Sequence, residues 1–142
     1  MMLETVDIGA SRAYPPRVST ATAPFWSALA QGRWITTACC DCGKQTFPPQ
    51  IICPHCWSEA LEWTDLSPRG VIYSWTRVHA APTVFAAEAP YSVCIVDLDC
   101  GIRIACKLLE TEAAAPSIGM AVEMVRLRYQ DGDLFAARAL QR

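Results

Sequence analysis

The stretch "CCDCGKQTFPPQIICPHC", residues 39–56, decides the reading of this chain. It holds five of the eight cysteines. Cys39 and Cys42 form one C-x-x-C pair, and Cys53 and Cys56 form a second. Two such pairs about ten residues apart fold into facing knuckles that put four thiolates at tetrahedral corners. Gly43 follows the second ligand, where a knuckle turn needs backbone freedom. A redox pair of the thioredoxin kind needs only one C-x-x-C, set in a strand–helix unit, and no such unit is visible here. A rubredoxin-like iron site uses the same ligands, so spacing alone does not separate zinc from iron. Cys40 reads as a bystander between ligands, and His55, inside the second knuckle, competes poorly with four thiolates. Four cysteines close the shell, whereas a catalytic zinc keeps a position open for water. The metal expected here is therefore a structural Zn2+, a staple for a module too small to build its own core.

Working outward toward the N-terminus, "TAPFWSALAQGRWI" predicts a short helix before the knuckles. Thr22 is placed to cap it, Pro24 lies in its first turn, and Gly32 ends it. Phe25, Trp26 and Leu29 fall at helical spacing. The aromatic residues Phe25, Trp26 and Trp34 suit either core packing or contact with a partner subunit. Residues 1–21, with the Pro-, Ser- and Thr-containing "AYPPRVSTATAP", predict an extended arm. The helix and knuckles make one unit, residues 22–66, and "DLSPRG" is a turn-rich hinge after it.

Toward the C-terminus the pattern becomes strands. "GVIYSWTRVH" alternates, with Val71, Tyr73, Trp75 and Arg77 on one face. "PYSVCIVDLDCGIRIACKLLE" reads as two strands about a tight turn, with Ile102, Ile104, Cys106 and Leu108 lining one face. "IGMAVEMVRLRY", the turn "QDGD" and "LFAARAL" complete a further hairpin. Five strands in residues 67–142 predict a small barrel of the oligonucleotide/oligosaccharide-binding (OB) type, with an open five-stranded sheet as the alternative. The fold class expected is mainly β: an N-terminal helix and rubredoxin-like zinc ribbon, then a five-stranded OB-fold barrel.

Composition limits the partners. Of 142 residues, 52% are hydrophobic and 18% charged, enough for a real core. The formal charge of −2 lacks the basic excess of a nucleic-acid binder, so that partner is disfavoured. No apolar run reaches the ~18 residues of a membrane span, and the acidic start does not read as a secretory signal. A cytoplasmic location, with reduced thiols, is the expectation.

The order of these pieces resembles the DUF35 family, acyl-CoA-associated OB-fold proteins with a rubredoxin-like zinc ribbon. The matching stretches are "PFWSALAQGRW", the cysteine stretch itself with its Pro-Pro, "LSPRGVIYSWTRVH", "APYSVCIVDLDCGIRIACKL" and "IGMAVEMV", covering roughly residues 22–138. Cys40 departs from the pattern by adding a thiol to the first knuckle. The ending "FAARALQR" lacks a Phe–Pro close. The resemblance implies an accessory subunit in a hetero-oligomer with a thiolase-like enzyme, or one of aldolase type on the thiolase fold, sometimes with a hydratase. It implies lipid or steroid metabolism as a context, and an acyl-CoA ester as a ligand shared with the partner.

The chain shows no nucleophile–base pair of its own. It has two histidines, His55 and His79, and no glycine-rich phosphate loop. No catalytic residue is assigned. A CoA ester needs cations for its phosphates and an apolar slot for its acyl arm. The candidates are Arg69, Arg77, Arg126 and Arg128 for the first, and Phe85 and Tyr91 for the second. The rival reading is a single-stranded nucleic-acid module in which Tyr73 and Trp75 form a stacking platform.

Overall fold

The structure, a computed structural model, describes residues 2–110 and 115–140. The expected barrel range of 67–142 therefore includes six residues, 111–114 and 141–142, that lie outside the described part. The elements in chain order are β1 (Glu4–Asp7), α1 (Ala23–Ala30), β2 (Ile35–Cys39), β3 (Gln45–Thr46), β4 (Leu61–Asp65), β5 (Arg69–Val78), β6 (Tyr91–Leu98), β7 (Arg103–Leu109), β8 (Ala121–Tyr129) and β9 (Gly132–Ala139). A 3-10 turn, Thr83–Glu88, interrupts the link between β5 and β6.

The barrel closes as β5-β6-β7-β9-β8 and back to β5. The β7–β9 pairing is parallel and the other four are antiparallel. Closure removes the exposed sheet edges that an open five-stranded sheet would leave. β6 shows why these residues make strand. Ser92, Cys94, Val96 and Leu98 point inward and are buried, while the residues between them are half-exposed. At Gly70 a Cβ would sit 2.3 Å from the carbonyl oxygen of Asp97, so only glycine lets β5 approach β6 there.

The alternation read for β5 breaks at one point. Ile72 pairs with Val96, but the register slips before Ser74, which pairs with Ile95, leaving Tyr73 as the extra residue of a bulge. Trp75 then pairs with the buried Cys94 and packs against the core. Tyr73 stays outside, 49% exposed, under the guanidinium of Arg103 at 3.7 Å. The two rings do not share a face, and the stacking platform expected of them is not formed.

The ribbon is a small sheet, β3-β2-β4. It joins the barrel through five rings from three parts of the chain. Phe25 and Trp26 come from α1, Trp34 and Phe47 from the ribbon, and Phe135 from β9, with centroids 5.0 to 6.4 Å apart. The indole N–H of Trp34 donates to the carbonyl of Ser67 at 3.2 Å.

α1 starts and stops near the expected places, but its cap differs. The Thr22 hydroxyl oxygen accepts from the Ser19 N–H at 2.9 Å and makes no bond to the helix. Gly32, at φ +80°, closes the helix as expected. The arm is strand rather than loose coil at residues 4–7. β1 runs parallel to β8 along Val125–Arg128, the part of that edge left free by β5, which covers Ala121–Glu123. Beyond β1, Gln130 N–H bonds to the Ala10 carbonyl, and Arg12 grips the turn at Asp131.

Candidate metal centre and barrel site

The knuckles bring together the four expected cysteines. The sulfurs of Cys39, Cys42, Cys53 and Cys56 all lie within 4.8 Å of one another. Cys39 and Cys56 are 3.5 Å apart, and Cys42 and Cys53 are 3.6 Å apart. A tetrahedral zinc with 2.3 Å bonds needs sulfur–sulfur edges of about 3.8 Å, so the cluster fits the ion. The backbone forms each cup. Gly43 N–H bonds to the Cys39 carbonyl at 2.9 Å, and Trp57 N–H bonds to the Cys53 carbonyl at 2.8 Å. In the first cup the N–H groups of Cys42 and Asp41 donate to the Cys39 sulfur, each at 3.4 Å. With the Cys42 N–H as the largest cause, they hold the Cys39 thiol at a pKa of about 6, well below the ordinary thiol, whereas Cys56, despite the Ser58 N–H, is pushed up to about 12 by the neighbouring Cys39 thiol. Cys40 is exposed and outside the four-sulfur set. Among the described residues no helix is long and apolar enough to cross a membrane.

The four arginines expected to hold phosphates are scattered. Arg77 is paired with Glu110 through both carboxylate oxygens, at 2.5 and 2.6 Å. Arg126 is 7% exposed and is spent inside the chain. Its Nε donates to the Thr5 hydroxyl at 3.0 Å, and Nη1 donates to the carbonyls of Leu29 and Ala30 at the end of α1. A guanidinium suits that place, because carbonyls at a helix end carry partial negative charge, and the Leu29 carbonyl accepts from it alongside the Gly32 N–H. Arg126 is thus a structural tie and does not reach a ligand on the surface. Arg69 and Arg128 are exposed. Arg69 lies opposite Glu123 on β8, five residues from Arg128, or roughly 17 Å at strand rise. They do not converge on one phosphate.

The aromatic expectations divide. Phe25 is 3% exposed and Trp34 is fully buried, so both rings serve the inner seam and neither lies on the chain's surface. Trp26 is half-buried beside them. Phe85 and Tyr91 do meet, with ring centroids 6.1 Å apart, on the wall of a cavity at the side of the barrel. That wall also includes Tyr14, Lys107 and Tyr129, which the strand pattern did not single out. A lone tyrosine in an arm and another at a strand end carry no periodic signal, so only the chain's path reveals them. His79 is exposed and makes no side-chain hydrogen bond among the described residues.

Two family models match the chain in this order: the ChsH2 rubredoxin-like zinc ribbon domain over residues 26–62, and the ChsH2 C-terminal OB-fold domain over residues 63–127. A DUF35 domain-containing scaffold protein of Methanocaldococcus jannaschii is 38% identical over 101 residues, 70% of this chain and 72% of its own length. The benzoylsuccinyl-CoA thiolase subunit BbsA of Thauera aromatica is 36% identical over 70 residues, 49% of this chain and 47% of that subunit. Among solved structures, a chain of the Ltp2–ChsH2(DUF35) aldolase superposes with a TM-score of 0.76 at 28% identity, covering 88% of this chain and 98% of that one. Knuckle geometry, barrel topology and sequence agree, and the chain belongs to the DUF35 family.

Proposed function

We propose that this protein is an accessory subunit that docks on a thiolase-fold enzyme and helps to position the acyl part of a CoA ester at that enzyme's active site. The observation carrying this reading is the likeness, over 88% of the chain, to the DUF35 component of an aldolase assembly. The thiolase subunit among its relatives points to the same class of partner. Two features of the site support an auxiliary role. The four-sulfur centre has a closed shell, which leaves no position for substrate. The exposed arginines Arg69 and Arg128 lie too far apart to clamp one phosphate group, so the nucleotide end of the ester is assigned to the partner. The zinc then holds the ribbon in shape for docking and takes no part in turnover.

The test is a tagged pull-down from native extract at moderate salt, with mass spectrometry of what co-purifies. A thiolase-fold protein in near-equal amount is expected, and the reconstituted pair should process CoA esters that the isolated chain does not. Recovery of nucleic acid or ribosomal proteins alone would overturn the reading.

A further inference from the structure

A cavity of about 310 Å3 lies between the N-terminal arm, the 3-10 turn and the β8–β9 hairpin. Small-molecule sites begin at about this size, roughly 300 Å3. Leu127 and Leu134 contribute apolar walls, the Phe85–Tyr91 pair forms another, and Tyr14 of the arm borders the opening. Tyr129 lines the same space and is 9% exposed, yet its side chain has no hydrogen-bond partner among the described residues. The hydroxyl is not sealed from solvent, so it is free to donate to a ligand's oxygen in this space. Burial also holds Tyr129 above the ordinary phenol pKa, which keeps it a donor. At the rim, Lys107 Nζ lies 3.0 Å from Glu88 Oε1. The two charges offset each other, so the opening favours neither an anion nor a cation.

We propose that this cavity binds a compact, neutral carbon skeleton, cyclic or branched, whose single carbonyl or hydroxyl oxygen accepts the Tyr129 hydrogen bond. At about 30 Å3 per heavy atom the space holds about ten such atoms. This goes beyond the accessory role, because the site lies within one chain and stands whether or not a partner is captured. The ligand chemistry has two sources, a free ketone or the acyl end of a thioester.

The experiment is a titration of the zinc-loaded full chain with acetophenone, followed by two-dimensional amide NMR. Saturable shifts are expected at Val93, Lys107, Tyr129 and Leu134, with benzoate binding more weakly because it carries charge. Leu134→Trp fills the space and should abolish the shifts. Tyr129→Phe should weaken binding about 5- to 10-fold. Should Leu134→Trp lose its amide dispersion, Val93→Phe replaces it. Benzoyl-CoA separates the sources: shifts at the same amides identify a thioester, and shifts with acetophenone alone identify a free ketone, each upholding the site. No saturable shift up to about 10 mM, or shifts that survive the filling substitution, would overturn it. Unchanged affinity in Tyr129→Phe would overturn the hydrogen bond that defines the ligand class.

Discussion

The ribbon and the barrel are held by different physics. The barrel buries Ile72, Val96, Leu98, Ile104, Val122 and Met124, each 3% exposed or less, in a closed ring of strands. The ribbon has three short strands, and its β4 turns mostly outward. Ile51 is 67% exposed and Trp57 80%, so apolar residues that would make a core elsewhere lie on the ribbon's surface. A barrel of this kind stands on apolar burial, whereas a ribbon of this size stands on its metal. Four ways of separating the two regions follow, in falling order of effect.

Removing the metal is the largest. Chelation, or Cys42→Ser, should unfold the ribbon and leave the barrel strands intact. Structural zinc contributes roughly 10 kcal/mol or more to such a module. Strand-selective hydrogen exchange, read with zinc content, checks this. Protection lost from β2 and β4 but kept in β6 and β7 upholds the contrast. Equal loss in both would show that the five-ring seam around Phe25 and Phe135 makes them one cooperative unit.

Arg126 tests the seam from the barrel side. Arg126→Met removes the donor from two helix-end carbonyls and from Thr5 while keeping the volume. The expected cost is about 2 kcal/mol, because the charge-assisted bonds to Ala30 and Thr5 are lost and the half-buried Asp133 carboxylate, 3.8 Å from the guanidinium, loses its counter-charge. Arg126→Lys should recover only part, since an ammonium lacks the planar fork. Urea unfolding of the zinc-loaded chain measures both.

The knuckles allow a finer comparison within the ribbon. Gly43 at φ +77° and Trp57 at φ +65° occupy equivalent corners of the two cups, directly after the second cysteine of each. A Cβ added at Gly43 meets nothing within 4 Å, so the cost of Gly43→Ala is conformational only, about 1 kcal/mol. Trp57 already bears that strain and stays 80% exposed, so its ring recovers little of it by packing. Trp57→Gly should therefore stabilise the ribbon by up to about 1 kcal/mol, and a competition titration of zinc affinity reads both substitutions. If Trp57→Gly weakens the ribbon instead, its ring contributes more packing than its exposure suggests.

These contrasts also explain what was legible in the sequence. The metal centre was readable because its geometry is local: two turns of fixed spacing place all four sulfurs. The barrel strands were readable because alternation is a local pattern too, and the closed topology followed from their number and short turns. The bulge at Tyr73 was not readable, since a slipped register depends on the partner strand, and it moved Trp75 to the core face. Arg126 read as a surface cation because composition cannot show that α1 ends against β8. The arm's pairing was hidden for the same reason, since four residues, Glu4–Asp7, find the free part of an edge more than a hundred positions away. The site residues that scattered were those chosen by type alone, while Phe85 in the 3-10 turn and Tyr91 at the start of β6 lie only six positions apart in sequence and met.

The smallest effect separates the regions by acid. Glu110 sits just after β7, hydrogen-bonded to Arg77 and to the Ser92 hydroxyl, and the Arg77 contact, ahead of Ser92, holds its carboxyl below the usual carboxylate range. A depressed folded pKa means that this stabilisation is fully present above the unfolded value, about 4.3, and is lost as pH falls through the folded value. The side chains of Arg77 and Glu110 are 42% and 35% exposed, so solvent screens the pair and its effect is small. Melting curves between neutral pH and pH 3 should show Arg77→Gln narrowing its gap to the unaltered chain as Glu110 protonates, by about 1 °C, and less in high salt. The ribbon responds to acid through its thiolates instead, because metal binding requires them deprotonated, so zinc release should precede the Glu110 step. A gap that stayed constant across the acid range would mean that Arg77 acts by covering the ends of β5 and β6 and not by its charge.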